Sequence, residues 1–88
     1  MTDIDVRPAG GDTYEVTITD DGSTSTHTVA VGPDEVRALG APDAEAAIVA
    51  SFRFLLDREP KESILGRFDL LSIGRYFPEY RSRLGDYL

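Results

Sequence analysis

Apolar and polar residues alternate with a period of two over the first third of the chain. Ile4 and Val6 alternate with Asp3, Asp5 and Arg7. Tyr14, Val16 and Ile18 alternate with Glu15, Thr17 and Thr19, and a third run spans Thr26–Val31. Such alternation, rich in β-branched residues, marks half-buried antiparallel strands. Asp21-Gly22 separates the second and third runs. Asp-Gly fits a two-residue type I′ hairpin, in which both central residues take positive φ. That loop sets Ile18 opposite Ser25, Val16 opposite His27 and Tyr14 opposite Val29, so these residues and Val31 share one face. The first hairpin carries Gly10-Gly11. A two-residue loop there would turn Ile4 and Val6 away from Val16 and Ile18, because a one-residue slip flips every side chain. A three-residue loop with Val6 opposite Val16 is therefore predicted; an even loop would need a bulge.

Beyond Val31 the period becomes helical. Gly32-Pro33-Asp34-Glu35 reads as a helix start, with proline at the first helical position and acids in the first turn, and Gly40 ends this brief helix. Ala44, Ile48, Phe52 and Leu55 then form one stripe, widened by Val49 and Leu56. The stripe predicts a main helix from about Asp43 to Asp57 or Arg58. Glu59-Pro60 stops it, because proline disfavours helical geometry in the preceding residue. Phe54 falls off the stripe, which leaves it either under the C-terminal segment or facing a partner. Short helices are predicted at Pro60–Leu65, closed by Gly66, at Leu70–Phe77 with Asp69 as N-cap, and at Glu79–Leu84, closed by Gly85.

Strands followed by helices define an α+β class. The expectation is a single domain over 1–88, with strands within 3–31 and helices within 33–86. It is a three-stranded antiparallel β-meander followed by a long helix and short C-terminal helices packed on one face. The long helix should cross the Tyr14/Val16/Ile18 face.

Composition adds constraints on function. The 88 residues carry a net charge of −7 and no cysteine. Disulfides and thiolate metal sites are thereby excluded. Met1-Thr2-Asp3 opens no signal-peptide pattern, and no apolar run approaches the ~20 residues of a membrane span. These features point to a soluble, cytoplasmic protein with no membrane partner. Eight of the nine bases are arginine, and Asp outnumbers Glu ten to six. An acidic, lysine-poor surface suits a high-salt cytoplasm. A GC-rich genome also favours Arg over Lys, so a halophilic source is one of two readings.

Charge and aromatics divide at the same place. Residues 1–50 hold ten acids and two arginines; residues 51–88 hold six acids, seven bases and seven of the eight aromatics. Interleaved Arg and aromatic side chains can stack on bases and bind phosphates. The near-neutral back half argues against it, because counterion release needs uncompensated cations. Nucleic acid is therefore a disfavoured partner. Tyr, Phe and Arg are also enriched in the centres of protein interfaces. Arg53, Phe54, Arg75, Tyr76, Phe77 and Tyr80 form the candidate contact patch. Arg53 and Asp57, spaced i, i+4, can instead pair along the helix.

The chemistry-bearing residues are sparse. His27 is the only imidazole, and it reads as a strand histidine beside Val16 in preference to a general base or metal ligand, since sequence offers it no partner. Ser51 and Ser63 have no histidine near them in sequence. Asp20-Asp21-Gly22-Ser23 superficially resembles a calcium loop, but lacks the spaced ligands and closing Glu. No phosphate-cradling glycine pattern or GxSxG elbow occurs. No catalytic residue, metal site or cofactor is indicated.

One stretch carries a resemblance. Phe52-Arg53-Phe54-Leu55-Leu56, Arg58-Glu59-Pro60, Ser63-Ile64-Leu65, Phe68-Asp69-Leu70 and Arg75-Tyr76-Phe77-Pro78-Glu79-Tyr80 together resemble a signature of short prokaryotic proteins of unknown function. This string covers about a third of the chain and implies no activity. The strand–strand–helix opening is also loosely similar to HicB-like antitoxin domains, an architectural likeness only. The reading of the whole is a small non-catalytic domain acting by protein–protein contact, as a homodimer or accessory subunit. The alternative is a regulatory or antitoxin-like protein whose C-terminal Arg/aromatic face touches nucleic acid or a toxin.

Overall fold

The computed structural model describes residues 2–88. Three antiparallel strands come first: β1 (Thr2–Pro8), β2 (Thr13–Asp20) and β3 (Ser23–Ala30). Their register follows the alternation. Val6 faces Val16 and Ile4 faces Ile18; Ile18 faces Ser25, Val16 faces His27 and Tyr14 faces Val29. The first hairpin has an odd loop, Gly10–Asp12, closed by the Ala9 N–H donating to the Thr13 carbonyl at 2.9 Å. At the second, Asp21 and Gly22 take φ of 51° and 80°, the pair of positive values that a type I′ turn requires.

Helices α1 (Pro33–Ala38) and α2 (Ala44–Leu56) follow. Pro33 opens α1, and the Glu35 carboxylate accepts from the Gly32 N–H at 2.7 Å. Gly40, at φ 77°, ends this segment in the left-handed region that glycine adopts at least cost. The Asp43 carboxylate caps α2 by accepting from the Ala46 N–H at 2.8 Å. Ile48, Phe52 and Leu55 lie buried against the inner face of the sheet, where Phe52 meets His27 at 5.5 Å and Phe68 at 5.9 Å between ring centres. The opposite sheet face, with Asp3, Asp5, Glu15, Thr19, Thr24 and Thr26, is open to solvent, as antiparallel sheets allow.

The fold is α+β, but its sheet departs from a three-stranded meander. A fourth strand, β4 (Arg67–Asp69), adds beside β3 in parallel, in the order β1-β2-β3-β4. The chain leaves β3, crosses through α1 and α2, and returns in the same direction. A parallel neighbour requires such a crossover. Three residues are too few to show alternation, and Asp69, expected as a helix cap, ends the strand without a side-chain cap.

The C-terminal third also differs in detail. Pro60–Leu65 forms only a 3-10 turn at Lys61–Ser63. A 3-10 turn at Leu70–Ser72 runs into α3 (Ile73–Tyr76), and α4 (Tyr80–Arg83) runs into a 3-10 turn at Leu84–Tyr87 that passes through Gly85. These pieces do not simply share the sheet face with α2. Ala47, Ser51 and Phe54 make a second buried stripe beside the first, and α4 with its following turn packs along it. Ser51 Oγ donates to the Ala47 carbonyl at 2.7 Å. With its one hydrogen so used, it accepts from the Tyr80 hydroxyl at 2.7 Å.

Candidate partner-binding surface

The six candidate contact residues fall into three places. Phe54 and Tyr80 are fully buried and do not belong to a contact surface. The Phe54 ring meets Phe77, Tyr80 and Tyr87 edge-on, with centres 5.9, 5.4 and 5.9 Å away. Arg58 lies 3.7 Å above that ring, a cation–π contact. Its Nη1 donates to the Phe54 carbonyl at 3.1 Å and to the Tyr87 hydroxyl at 3.3 Å, and its Nε to Glu79 at 3.1 Å. The Glu79 carboxyl is held below the usual range, first by a hydrogen bond to its own main chain and then by Arg58. Burial pushes the Tyr80 phenol up to about 12.

Arg53 is exposed and lines a shallow hollow with Thr2, Ile4, Leu56, Asp57 and Tyr87, beside the β1 edge. It forms no ion pair with Asp57, whose carboxylate instead accepts from the Tyr87 hydroxyl at 2.6 Å. The remaining three residues, Arg75, Tyr76 and Phe77, stand together at the β4 side of the molecule.

Tyr76 and Phe77 border a groove of about 240 Å³. Leu55, Ile64 and Ile73 are buried in its floor, half-buried Phe68 and Phe77 wall it, and Leu65 and Tyr76 rim it. Its shape follows from local breaks. Pro60 stops α2, the 3-10 turn redirects the chain into β4, and α3 folds back over the end of α2. Leu65 is 53% exposed and Tyr76 67% exposed, so among the described residues two of the three large exposed apolar side chains stand at one groove. Glu59, Ser63 and Ser72 supply polar groups there. A larger hollow of about 460 Å³ lies between the sheet and the α1–α2 turn, lined by Asp12, Arg37 and Asp43 among others. Among the described residues no large exposed apolar side chain stands on it.

Sequence reading missed Leu65, Phe68 and Ile73 as neighbours of Tyr76. The one local signal was Ile64-Leu65 against Gly66, an apolar pair ending in a turn with no helical stripe to absorb it. It also missed a partner for His27. The His27 Nδ1 lies 2.8 Å from the Leu65 carbonyl and Nε2 lies 2.8 Å from Ser25 Oγ. A carbonyl only accepts, so Nδ1 carries a proton and donates to it, and Ser25 Oγ, which can donate or accept, completes the pair at Nε2. A serine–imidazole–carbonyl chain is the connectivity of a nucleophile with its base. Here His27 is 3% exposed and its ring packs at a tilt against Phe52, so a substrate reaches Nε2 only by displacing Ser25. The chain of bonds ties the loop before β4 to β3.

The remaining charges are largely dispersed. Arg58, Lys61 and Arg83 are engaged by Glu79, Glu62 and Asp86. The Lys61 ammonium, at 2.7 Å, holds the Glu62 carboxyl below its usual range. Asp20 and Asp21 belong to the β2–β3 turn, where Ser23 Oγ donates to the Asp20 carbonyl at 3.0 Å. Among the described residues no group of three or more His, Asp or Glu is placed to hold a metal ion, and no helix is long and apolar enough to cross a membrane.

No protein-family model, curated protein or solved structure matches this chain.

Proposed function

We propose that this chain is a small non-catalytic interaction domain that works by binding another protein, either a second copy or a larger assembly to which it is accessory. The observation that carries the reading is the groove at Leu65 and Tyr76. Its volume lies below the ~300–1,000 Å³ of small-molecule pockets, and suits one inserted apolar side chain of a partner. Interface anchors of this kind sit in apolar pockets ringed by aromatic residues. Exposed Arg75, next to Tyr76 in the chain, supplies a cation outside the groove lining, where charge steers association more than it tightens it. The Ser51–Tyr80 resemblance to short prokaryotic proteins remains a proposal of kinship and adds no activity.

The antitoxin-like alternative has one observation in its favour: Arg67, Arg75 and Arg81 are exposed. Against its nucleic-acid branch stand the three neutralised bases and the acidic sheet. A toxin partner would be a case of the same protein-binding reading.

A photo-crosslinking residue at position 76, installed in the native cell, tests the proposal. The expected result is a discrete protein adduct at 76 that is absent when the probe sits at position 26, on the open sheet face, and absent when Leu65→Asp accompanies it. Equal labelling from both positions would sink the proposal, as would adducts that survive Leu65→Asp. Loss of the adduct on nuclease treatment would move the reading to nucleic acid.

A further inference from the structure

The other end of the sheet is an open strand edge. β1 has a neighbour on one side only, β2. The Ala9 N–H bonds to Thr13, and hydrogen-bonded pairs alternate along an antiparallel ladder. With the observed register, Arg7, Asp5 and Asp3 turn their main-chain groups towards β2. Thr2, Ile4 and Val6 turn theirs outward, as does the carbonyl of Pro8. Pro8 has no N–H, and sits where that loss faces the free edge, the placement that strands tolerate. The side chains divide likewise. Ile4 and Val6 are half-buried on the helix side, and Asp5 and Arg7 are exposed on the other, 2.9 Å apart.

Edges of this kind are commonly guarded by charge. A guard of one sign repels a second copy in every register, whereas this one changes sign between Asp5 and Arg7. Antiparallel self-pairing centred on Ile4 sets Asp3 against Asp5 twice. Centring on Asp5 or on Arg7 sets two like charges face to face. Only centring on Val6 sets each Asp5 opposite Arg7 of the other copy, with no like pair opposed. The same register suits the backbone. Val6 and its counterpart exchange both hydrogen bonds, and the Ile4 N–H donates to the Pro8 carbonyl of the other copy. The half-buried Ile4 and Val6 then form one apolar strip across the join. Opposite charges directly across a ladder stabilise it, and like charges destabilise it.

From this complementarity we infer that the β1 edge pairs with the β1 edge of a second copy, centred on Val6, to make one continuous eight-stranded sheet. The inference rests on the reading of the chain as an interaction domain but uses the edge opposite the groove, so the two can fail separately. Few backbone bonds and exposed ion pairs are involved, so the dimer is weak and forms at on the order of 100 µM protein.

Sedimentation equilibrium of the full chain up to about 1 mM tests it. The wild-type mass is expected to double with concentration. The double variant Asp3→Arg/Asp5→Arg gives a chain with Arg opposite Arg in every register centred from Ile4 to Arg7, and Arg7→Asp gives one with Asp opposite Asp; each alone is expected to stay monomeric. Mixed in equal amounts they pair Arg with Asp at every opposed position and are expected to restore the doubled mass. All three sites are exposed, and unchanged circular dichroism of each variant confirms its fold. A monomeric wild type overturns the inference. So does a variant that still dimerises alone, which would place the contact elsewhere, or a mixture that stays monomeric. Leu65→Asp is expected to leave the mass curve unchanged while abolishing the adduct formed from position 76, which separates this surface from the groove.

Discussion

β1 and β4 bound the same sheet, yet they are held by different means. β1 extends over Thr2–Pro8, pairs antiparallel with a neighbour close in sequence, and leaves a row of main-chain groups open. β4 is three residues long, pairs in parallel with a strand far away in sequence, and is walled by the groove side chains. The first edge is a product of local pattern and turn chemistry. The second exists only because α2 and the C-terminal turns bring it there. A locally specified edge can afford to stay open, since its register does not depend on what covers it. A tertiary edge is only as secure as the side chains that pin it.

That contrast can be broken most severely at Phe54. Replacing it with Ala removes the ring on which Phe77, Tyr80, Tyr87 and Arg58 converge. The cost is expected to be about 3–5 kcal/mol in urea unfolding. Amide exchange should accelerate first across Leu70–Tyr87, with the β2–β3 ladder protected longest. Uniform loss of protection would show that the two edges share one fate.

His27→Ala is expected to cost about 2–3 kcal/mol, through the lost Leu65 tie and the space left against Phe52. The Thr28 N–H, which donates to the Gly66 carbonyl at 2.8 Å, should exchange faster while the β1–β2 amides do not change. Equal acceleration at both edges would remove the imidazole from its assigned role.

Alkaline pH probes the same region more gently. The neutral Tyr80 phenol is the form that the fold holds, with its pKa raised to about 12. An unfolded phenol ionises near 10, so this contribution is complete below about pH 10 and is lost as pH rises through about 12. The loss is expected to be on the order of 2 kcal/mol, and Tyr80→Phe should flatten that part of the stability–pH curve. A slope that persists in Tyr80→Phe would assign it to other groups.

The smallest expected effect is that of Tyr76→Ser. An exposed rim residue should change stability by less than about 0.5 kcal/mol in urea unfolding. A larger change would make Tyr76 a packing residue and weaken the groove reading.

Legibility in the sequence follows the same division. Both hairpins could be read because alternation, Gly10-Gly11 and Asp21-Gly22 all point to one register. The bounds of α2 could be read from Asp43 and Pro60. β4 could not, because Arg67-Phe68-Asp69 has no pattern of its own and becomes a strand only beside β3. Phe54 and Tyr80 read as surface candidates because a helical period shows one stripe. The second stripe is visible only once Ser51 and Tyr80, 29 residues apart in sequence, are seen to share a hydrogen bond. Of the candidate patch, Arg75, Tyr76 and Phe77 lie together, while Arg53 lies beside the β1 edge.

The tie between His27 and the Leu65 carbonyl spans 38 residues, and this sets an order of events. Closing a long loop costs more entropy than closing a turn, so the hairpins have little to wait for and β4 must wait for α2. Folding is expected to begin in the β2–β3 hairpin and end with the docking of Phe68. Mutational φ-values would then be high near Asp21-Gly22 and ~0 at Phe68. A chain still emerging from the ribosome would hold its meander together with the β3 edge bare, and the groove would be the last feature to appear.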